Sequence, residues 1–387
     1  MILLVIGVSL LQPTHPTSGP TALPGIEWDR STLQLVAPGG DYARMARLGD
    51  GAIGIAYDRA GKLAFRRSID EGETWSEPLL VAEDRDCWLT NSELLPLKNG
   101  DLLYLWNERP RAALKYQDKP APPGELKRPF LIRMARSRDH GRTWSAPRTL
   151  YTAGPSYQDG CWEPAGIELP DGEIHVYFAN EFPYQTTAEQ EISLVRSRDG
   201  GRTWSQAQRM SMRKGHRDGM PAPLLLAGGG GIVVAIEDNG LSGNDRFKIA
   251  IVHTTLEDNW PSVAVDGESW RRWPALAKPL PEDHYAGAPN LRQFATGETL
   301  LAYQASADGT LAGTRMVVCV GDGEARRFTN ESQPFAAAAD AEPGQLWCSL
   351  FIKMADRVTA LGTVTINGRR GIWTIDGRVR PAGRGRP

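Results

Sequence analysis

The sequence predicts an all-β fold, a six-bladed β-propeller, and three observations lead to that prediction. One octapeptide occurs three times, a turn followed by an apolar strand occurs six times, and no long segment has the apolar period of an amphipathic helix. Repeat folds grow by adding units, so 387 residues need not form two domains. We expect a single propeller over residues 23–379, with residues 1–22 as a possible signal or tail and residues 380–387 as a tail.

The octapeptide has the chemistry of a hairpin turn. Its copies are SIDEGETW at 68–75, SRDHGRTW at 137–144 and SRDGGRTW at 197–204. The aspartate accepts backbone N–H groups within the turn, and the glycine supplies a positive φ. We therefore expect Trp75, Trp144 and Trp204 to pack on the outside of the hairpins, away from the propeller axis.

The turn–strand unit gives the number of blades. Its copies are LGDGAIGIAY, LKNGDLLYLW, LPDGEIHVYF, AGGGGIVVAIE, FATGETLLAY and ADRVTALGTV, with Gly51, Gly100, Gly172, Gly231, Gly297 and Asp356 in the turns. Their spacing fits one four-stranded blade per copy once loops are included. We expect TLQLVAP at 32–38 and GIWTIDGRV at 371–379 to share the blade that closes the ring.

Composition excludes several classes of protein. A net charge of −2 provides neither a basic field for nucleic acid nor a polybasic patch for a membrane. The cysteines, Cys87, Cys161, Cys319 and Cys348, are too widely spaced for a standard zinc site. Two alternatives for the four cysteines stay open: they form one or two disulfides, or they are buried free thiols. No metal or cofactor is expected, and GGGG at 228–231 lacks the Lys-Ser/Thr of a phosphate-binding loop.

The first residues, MILLVIGVSLLQPTHP, are too short an apolar run to cross a bilayer. They are similar to the apolar part of a secretory signal, although a basic start is missing. We expect a secreted or periplasmic monomer, with a cytoplasmic location as the alternative.

The repeats resemble those of a known family. The three octapeptides are Asp-boxes, and with the six turn–strand units they resemble the sialidase superfamily over roughly residues 27–378. An Asp-box also occurs in receptors that are not enzymes, so it indicates the scaffold rather than the chemistry. The resemblance implies functional residues on the inner strands, around the axis.

The catalytic residues depart from the sialidase pattern. The position of the sialidase acid/base aspartate holds Lys62, and the position of the tyrosine nucleophile holds Trp347. Asp58 replaces the acid only after a local shift. Arg44 matches the first arginine of the sialidase pattern. In that family this arginine binds the carboxylate of the substrate.

Two glutamates lie in settings similar to the catalytic pair of the exo-arabinanase family, another group of six-bladed Asp-box propellers. Glu163 lies in CWEP, and Glu237 ends the apolar strand GIVVAIE. Glycoside hydrolysis uses one carboxylic acid and one carboxylate, and an apolar setting raises a carboxyl pKa. We expect Glu163 and Glu237 to be catalytic in a retaining exo-glycosidase on an arabinan-type or related glycan, with their roles undecided.

Other side chains beside these motifs are candidates for substrate binding. They are Arg44, Asn91, Trp162, Arg217, His216, Asp218, Arg246, Tyr285, Arg292 and Trp347. Trp88 is a further aromatic that could stack on sugar rings, and Glu93 and Glu181 are secondary acidic candidates. Two alternatives stay open: an exo-α-sialidase with unusual catalytic residues, and a carbohydrate-binding propeller without turnover.

Overall fold

The computed structural model describes residues 23–111 and 128–380, which form six four-stranded antiparallel sheets. The first strands of neighbouring blades contact one another and close a ring around a central axis. The predicted six-bladed propeller is therefore confirmed. The described residues contain no α-helix, only short 3-10 helices at Tyr157–Asp159, Phe182–Tyr184, Ala227–Gly229, Asn239–Leu241 and Pro334–Ala337.

The first three blades use consecutive strands, each ordered from the axis outward. Blade 1 contains β2 (Asp41–Arg47), β3 (Ile53–Arg59), β4 (Lys62–Ser68) and β5 (Leu79–Ala82). Blade 2 contains β6 (Cys87–Pro96), β7 (Leu102–Pro110), β8 (Leu131–Ser137) and β9 (Arg148–Thr152). Blade 3 contains β10 (Cys161–Glu168), β11 (Ile174–Asn180), β12 (Glu191–Ser197) and β13 (Gln208–Ser211).

The last three blades complete the ring. Blade 4 contains β14 (Asp218–Leu225), β15 (Ile232–Asp238), β16 (Lys248–Thr254) and β17 (Arg272–Pro274). Blade 5 contains β18 (Tyr285–Gln293), β19 (Thr299–Ser306), β20 (Arg315–Gly321) and β21 (Thr329–Ser332). Blade 6 contains β22 (Leu346–Met354), β23 (Arg357–Ile366), β24 (Arg369–Arg380) and, outermost, β1 (Gly25–Pro38).

The ring closes where the two ends of the chain meet. Strand β1 pairs antiparallel with β24, in a register that places Gln34 opposite Thr374 and Leu35 opposite Trp373. This is the shared blade expected for residues 32–38 and 371–379. Backbone hydrogen bonds between the first and last strands therefore hold blade 6 together.

The hydrophobic core is divided among the interfaces between neighbouring blades and does not form one central cluster. Six large apolar clusters occur, one for each pair of neighbouring blades. Between blades 1 and 2, for example, Phe65 packs with the fully buried Tyr104 and Trp106. Because middle strands such as β15 are covered on both faces, they are almost continuously apolar. Each large side chain buried this way contributes about 1.5–3 kcal/mol.

The predicted turn glycines adopt the conformation that only glycine tolerates easily. The φ angles are 86° for Gly51, 87° for Gly100, 90° for Gly172, 96° for Gly231 and 108° for Gly297. Glycine lacks the Cβ atom that disfavours positive φ. The sixth turn, at Asp356, joins β22 to β23 without a glycine.

The Asp-boxes are the turns between the third and fourth strands of blades 1 to 3, at the periphery as predicted. In the second box, Asp139 Oδ1 accepts the Thr143 N–H at 2.9 Å, and Ser137 Oγ accepts the Gly141 N–H at 2.7 Å. Slight burial opposes the effect, but hydrogen bonds from Thr143 and Ser137 lower the pKa of Asp139 to about 2. Trp144 then packs edge-on against Phe65 of blade 1.

All four cysteines are buried free thiols, which resolves the alternative left open by their spacing. Within the described part of the chain, no helix has the length and apolar character needed to span a membrane. The expected signal segment, residues 1–22, lies outside the described residues, as do residues 381–387.

The box chemistry predicts a structural role for Asp139. Asp139→Ala removes the hydrogen bonds to Thr143, so we expect the free energy of unfolding to fall by about 1–3 kcal/mol with turnover unchanged. Denaturant unfolding and a rate assay measure both quantities, and Arg138→Ala, at the exposed neighbouring position, is the matched control. Unchanged stability with lost turnover would move Asp139 from the scaffold to the site.

Candidate active site

Every inner strand carries a β-bulge at the same height. The register of each first strand against its second strand shifts at two residues, and the first of these has a positive φ although it is not glycine. These six residues are Tyr42, Asn91, Glu163, Met220, Ala288 and Trp347, with φ between 45° and 58°. A left-handed conformation costs such residues energy, and bulges commonly re-aim side chains beside active sites.

Polar side chains from neighbouring blades hold these bulges in place. Asp58, Glu237 and Gln304 occupy the same position near the end of the second strand in blades 1, 4 and 5, each opposite the residue that precedes the bulge. Each accepts the bulge N–H of the next blade: Asp58 from Asn91, Glu237 Oε2 from Ala288 at 3.0 Å, and Gln304 Oε1 from Trp347 at 2.9 Å.

Blade 3 departs from this arrangement. The equivalent position on its second strand is Ala179, opposite Trp162, and an alanine has no acceptor. Glu163, itself the bulge residue, accepts the Met220 N–H through Oε2 at 3.0 Å instead. The bulge therefore directs a carboxyl group toward the axis.

Glu163 and Glu237 meet on either side of one dipeptide, Gly219-Met220. A Cβ atom on Gly219 would lie 3.0 Å from Glu237 Oε1, while Glu163 binds the next N–H. On its other side Glu237 is equally confined, since a Cβ atom on Gly287 would lie 2.3 Å from Oε2. Both side chains stay partly accessible to solvent. The two carboxyls are therefore close neighbours beside the axis, and the partly accessible space around them is here called the recess.

Burial raises the pKa of both carboxyls above their ordinary values. For Glu163, repulsion from Glu237 adds to burial, and the Met220 N–H and the charge of Arg217 act against it. For Glu237, burial is opposed by the Ala288 N–H and by Arg217. Two neighbouring carboxyls in such a setting titrate as a pair, and one proton stays on the pair over a wide pH range.

Four bulge residues form an apolar floor beside the pair. Tyr42, Met220, Ala288 and Trp347 pack together, with the rings of Tyr42 and Trp347 5.3 Å apart. This apolar floor lies between the carboxyls and the charged side chains that follow the bulges along the inner strands. It places Trp347, a predicted stacking residue, at the bottom of the recess.

Arg44 and Arg292 lie beyond the apolar floor, which corrects their expected role beside the pair. The Arg44 guanidinium lies 4.4 Å from the centre of the Tyr42 ring, and its Nε lies 3.4 Å from Glu93 Oε2. Both arginines line a cavity of about 380 Å³ formed by the later halves of the inner strands, here called the axial cavity. Neither Glu163 nor Glu237 lines this cavity.

Arg217 is held by a carboxylate of the protein. Its Nη2 lies 2.9 Å from Glu181 Oε1, and its Nη1 lies 3.1 Å from Oε2. Trp162 donates its Nε1–H to the same Glu181 at 2.8 Å and stacks on Tyr157 with ring centres 5.5 Å apart. Glu181 occupies this guanidinium fork, and the charge of Arg217 lowers the pKa of Glu163 and Glu237.

Asp218 is a structural residue, which corrects its assignment to substrate binding. It is fully buried and accepts from Arg272 Nη1 at 2.8 Å, and the same arginine binds the buried Asp238. Such a buried ion triad is satisfied internally.

Two other candidates lie apart from the recess. His216 Nδ1 lies 3.3 Å from Asp245 Oδ1. Arg246 is exposed and donates to the Gly309 carbonyl at 2.9 Å.

Tyr285 stands beside Glu237. Its Oη would lie 2.2 Å from a Cβ atom on Gly287, the same point that is 2.3 Å from Glu237 Oε2, so the two oxygens are close neighbours. Gln304 Nε2 donates to Tyr285 Oη at 3.1 Å. Asn91 faces the ring as the bulge residue of blade 2.

Two residues near the pair were not predicted in the role they have here: Arg109, and Asp58, which was expected only as a displaced acid. Burial, reinforced by Asp41, raises the pKa of Asp58 well above its usual range, against the Asn91 N–H and Arg109. Arg109 is the penultimate residue of β7, its buried Nε has no hydrogen-bond partner among the described residues, and its guanidinium lies 6.0 Å from the Tyr157 ring centre. A comparison of second-strand ends, AYD with AIE, would have indicated Asp58.

One largely buried cluster among the described residues has the composition of a metal site. Ligand atoms of Asp84, Cys87 and Glu108 lie within 4.8 Å of one another. Arg128 Nη1 already donates to Asp84 at 2.8 Å and to Cys87 Sγ at 3.2 Å. The guanidinium supplies the positive charge that this cluster requires.

The recess predicts a test of its own geometry. Gly287→Ala places a methyl group against Glu237 and Tyr285, so we expect turnover to fall at least about a hundredfold because a small misplacement of a catalytic group is costly. Gly243→Ala is the control, since its added Cβ would meet only Glu282 at 3.7 Å. Rates are measured beside melting curves, and equal rates for the two variants would contradict the placement of Glu237.

Comparisons with known proteins agree with this fold. The family model of the BNR repeat-like domain matches residues 124–267. The α-L-arabinofuranosidase of Fusarium graminearum, solved with an iminosugar inhibitor, is 17% identical with a TM-score of 0.63, covering 93% of this chain and 98% of that one. The α-L-arabinanase of Penicillium chrysogenum, solved with arabinobiose, is 13% identical with a TM-score of 0.65, covering 92% and 98%.

A sialidase of Streptococcus pneumoniae is 13% identical with a TM-score of 0.57, and the match covers 94% of this chain and 71% of that one. Comparison of the sequence with curated proteins gave no significant match. At these identities the likeness is one of fold, and it confirms the resemblance inferred from the repeats. The chain is a six-bladed propeller with Asp-boxes, its residues 124–267 match the BNR repeat-like domain, and its fold is more similar to that of the arabinofuranosidase and the arabinanase than to that of the sialidase.

Proposed function

We propose that the protein is a retaining exo-glycosidase with Glu163 and Glu237 as its catalytic pair. The observation that carries the proposal is the meeting of these carboxyls across Gly219-Met220, both partly open to solvent and both with raised pKa values. Glycoside hydrolysis needs one protonated and one ionised carboxyl at the same bond. A buried pair that keeps one proton supplies both states at once.

The surroundings of each carboxyl suggest how the roles divide. Glu163 is repelled by both Glu237 and Glu181, which favours its protonated form. Each carboxyl accepts one backbone N–H at 3.0 Å, Glu163 from Met220 and Glu237 from Ala288, so repulsion from Glu181 is what separates the two. Glu163 is therefore the acid that protonates the leaving oxygen, and Glu237 is the nucleophile.

The apolar floor supports an exo mode of attack. Tyr42, Met220, Ala288 and Trp347 fill the axis beside the pair, so a glycan chain enters the recess with its end first. The Fusarium and Penicillium structures contain an iminosugar inhibitor and arabinobiose respectively. From this likeness we infer an arabinan-type or related glycan as the substrate.

A second candidate, an exo-α-sialidase, is favoured by one observation. Tyr285 lies beside Glu237, as a tyrosine nucleophile with its glutamate partner would. The positions of the arginines argue against a sialidase, because binding of a sugar carboxylate requires a guanidinium whose two N–H groups are available to it. Arg44 and Arg292 lie beyond the floor, and Glu181 holds Arg217. Arg109 is the remaining candidate among the described residues that contact the recess wall.

A panel of terminal glycosides tests the proposal, with release of monosaccharide or disaccharide as the readout. We expect release from arabinan-type substrates and none from a sialyl fluorogenic substrate. Cleavage of the sialyl substrate that Tyr285→Phe abolishes would establish the second candidate. Retention of a glycan on the protein without any product would show a carbohydrate-binding propeller instead.

The pair also predicts a pH profile. Activity should be bell-shaped, since it falls when Glu237 gains a proton at low pH and when Glu163 loses its proton at high pH. Because burial raises both pKa values, both limbs should lie above the usual carboxyl range of about 4 to 4.5.

Glutamate-to-glutamine variants test the two catalytic roles and assign the acidic and alkaline limbs of the pH profile. Glu163→Gln and Glu237→Gln should each lower turnover by several orders of magnitude with melting temperatures preserved. On an activated aryl glycoside, which needs little acid assistance, Glu163→Gln should keep its first step and lose the alkaline limb. Full turnover in either variant would exclude the pair as the catalytic residues.

A further inference from the structure

The axial cavity holds more positive than negative charge. Among its lining residues, Arg44, Arg47 and Arg292 are basic, and Glu93 is the one acid. Arg47 is paired at the mouth with Glu71, at 2.8 Å between Nη2 and Oε2. Deeper inside, Arg44 and Arg292 share the single carboxylate of Glu93, so the inner part of the cavity carries an excess positive charge.

This excess charge is poorly satisfied by the protein. Arg44 donates to the carbonyl of Ala43 at 2.9 Å and Arg292 to that of Leu291 at 2.7 Å, each its own chain neighbour. Arg44 Nε makes no hydrogen bond, and it lies 3.4 Å from Glu93. A guanidinium has five N–H donors, and buried charges are normally paired. Among the described residues, each guanidinium thus donates one hydrogen bond, to the backbone of its own chain neighbour, and both line the cavity.

Two other polar side chains near the cavity, Asn290 and Ser349, have N–H or O–H groups that could bind an anion. Asn290 accepts the Leu350 N–H through Oδ1 at 3.0 Å, which leaves its Nδ2–H₂ group for the cavity. Ser349, at the equivalent place in blade 6, has a buried hydroxyl without a partner. The remaining walls are largely apolar, for example Pro221 and Leu225, and low polarity strengthens any charge interaction inside.

We propose that the axial cavity binds a small inorganic anion, a halide or an oxyanion such as sulfate, between Arg44 and Arg292. Guanidinium and amide donors surround the position, and a single negative charge neutralises the inner cavity. The site is separated from Glu163 and Glu237 by the apolar floor, and Tyr42 contacts the Arg44 guanidinium from that floor. The bound anion stabilises the ring of inner strands and does not take part in hydrolysis.

Burial affects the ionised groups in the direction that favours an anion. It raises the pKa of Glu93, which weakens the internal counter-charge, and it lowers the pKa of Arg292. Repulsion from Arg44 lowers the Arg292 value further. A bound anion opposes the lowering of the Arg292 pKa, because its negative charge lies beside both guanidiniums, and it competes with Glu93 for them.

Bromide is the probe for the site, because it can be located by anomalous scattering. In crystals of the full chain soaked in sodium bromide, we expect a peak in the axial cavity between Arg44 and Arg292. In solution, the melting temperature should rise by about 2–4 °C when chloride or bromide reaches saturating concentration at constant ionic strength. Peaks on the outer surface only would mean an adventitious ion only and would overturn the proposal.

Two substitutions in the axial cavity should change anion binding in opposite directions. Arg292→Met should abolish the halide-dependent rise in melting temperature, and Glu93→Gln should lower the half-saturating concentration about tenfold by removing the competing carboxylate. Arg142→Met, in a peripheral Asp-box, is the matched loss of an arginine and should leave the rise unchanged. If Arg292→Met does not fold, the Glu93→Gln titration and the bromide peak decide. An unchanged Glu93→Gln midpoint or a rise that Arg142→Met also abolishes refutes the site.

Discussion

The hydrogen bond from a bulge N–H to a side chain of the preceding blade is the interaction on which this site depends. Six inner strands place a non-glycine residue in the left-handed region at one height, and that conformation persists only when its surroundings fix it. Asp58, Glu237 and Gln304 supply the acceptor in three blades. The same bonds that keep the ring in register therefore bring carboxyl groups to the axis.

Catalytic and structural roles share these positions. Glu237 holds the Ala288 bulge and is also the proposed nucleophile, and Glu163 holds the Met220 bulge and is the proposed acid. In the equivalent position Gln304 can support a bulge but cannot titrate. The propeller thus offers repeated sites of equal geometry, and the residue type at each decides between support and chemistry.

Much of the scaffold could be predicted from the sequence because it depends on local rules. Turn glycines need a positive φ, Asp-boxes need their serine, aspartate and threonine, and strands covered on both faces need continuous apolar runs. The closing blade was also predictable. The six turn–strand units left two strand-like segments unassigned, one at each end of the chain, and these pair as β1 and β24.

The site was only partly predictable, because it depends on which end of the inner strands a side chain faces. Arg44 and Glu163 both belong to inner strands, but Glu163 is the bulge residue and Arg44 follows its bulge by two positions. That offset moves Arg44 beyond the apolar floor. The role of Asp218 was not predictable either, since only the fold brings Arg272 to it from 54 residues away in the chain.

The most direct test of the central claim is to trap the glycosyl-enzyme and locate the sugar. Glu163→Gln, incubated with an activated aryl glycoside of the substrate sugar, should form the covalent intermediate and hydrolyse it slowly. Peptide mass spectrometry should then find one glycosyl unit on Glu237. An adduct on Tyr285, or no adduct while the aryl group is still released, would contradict the account.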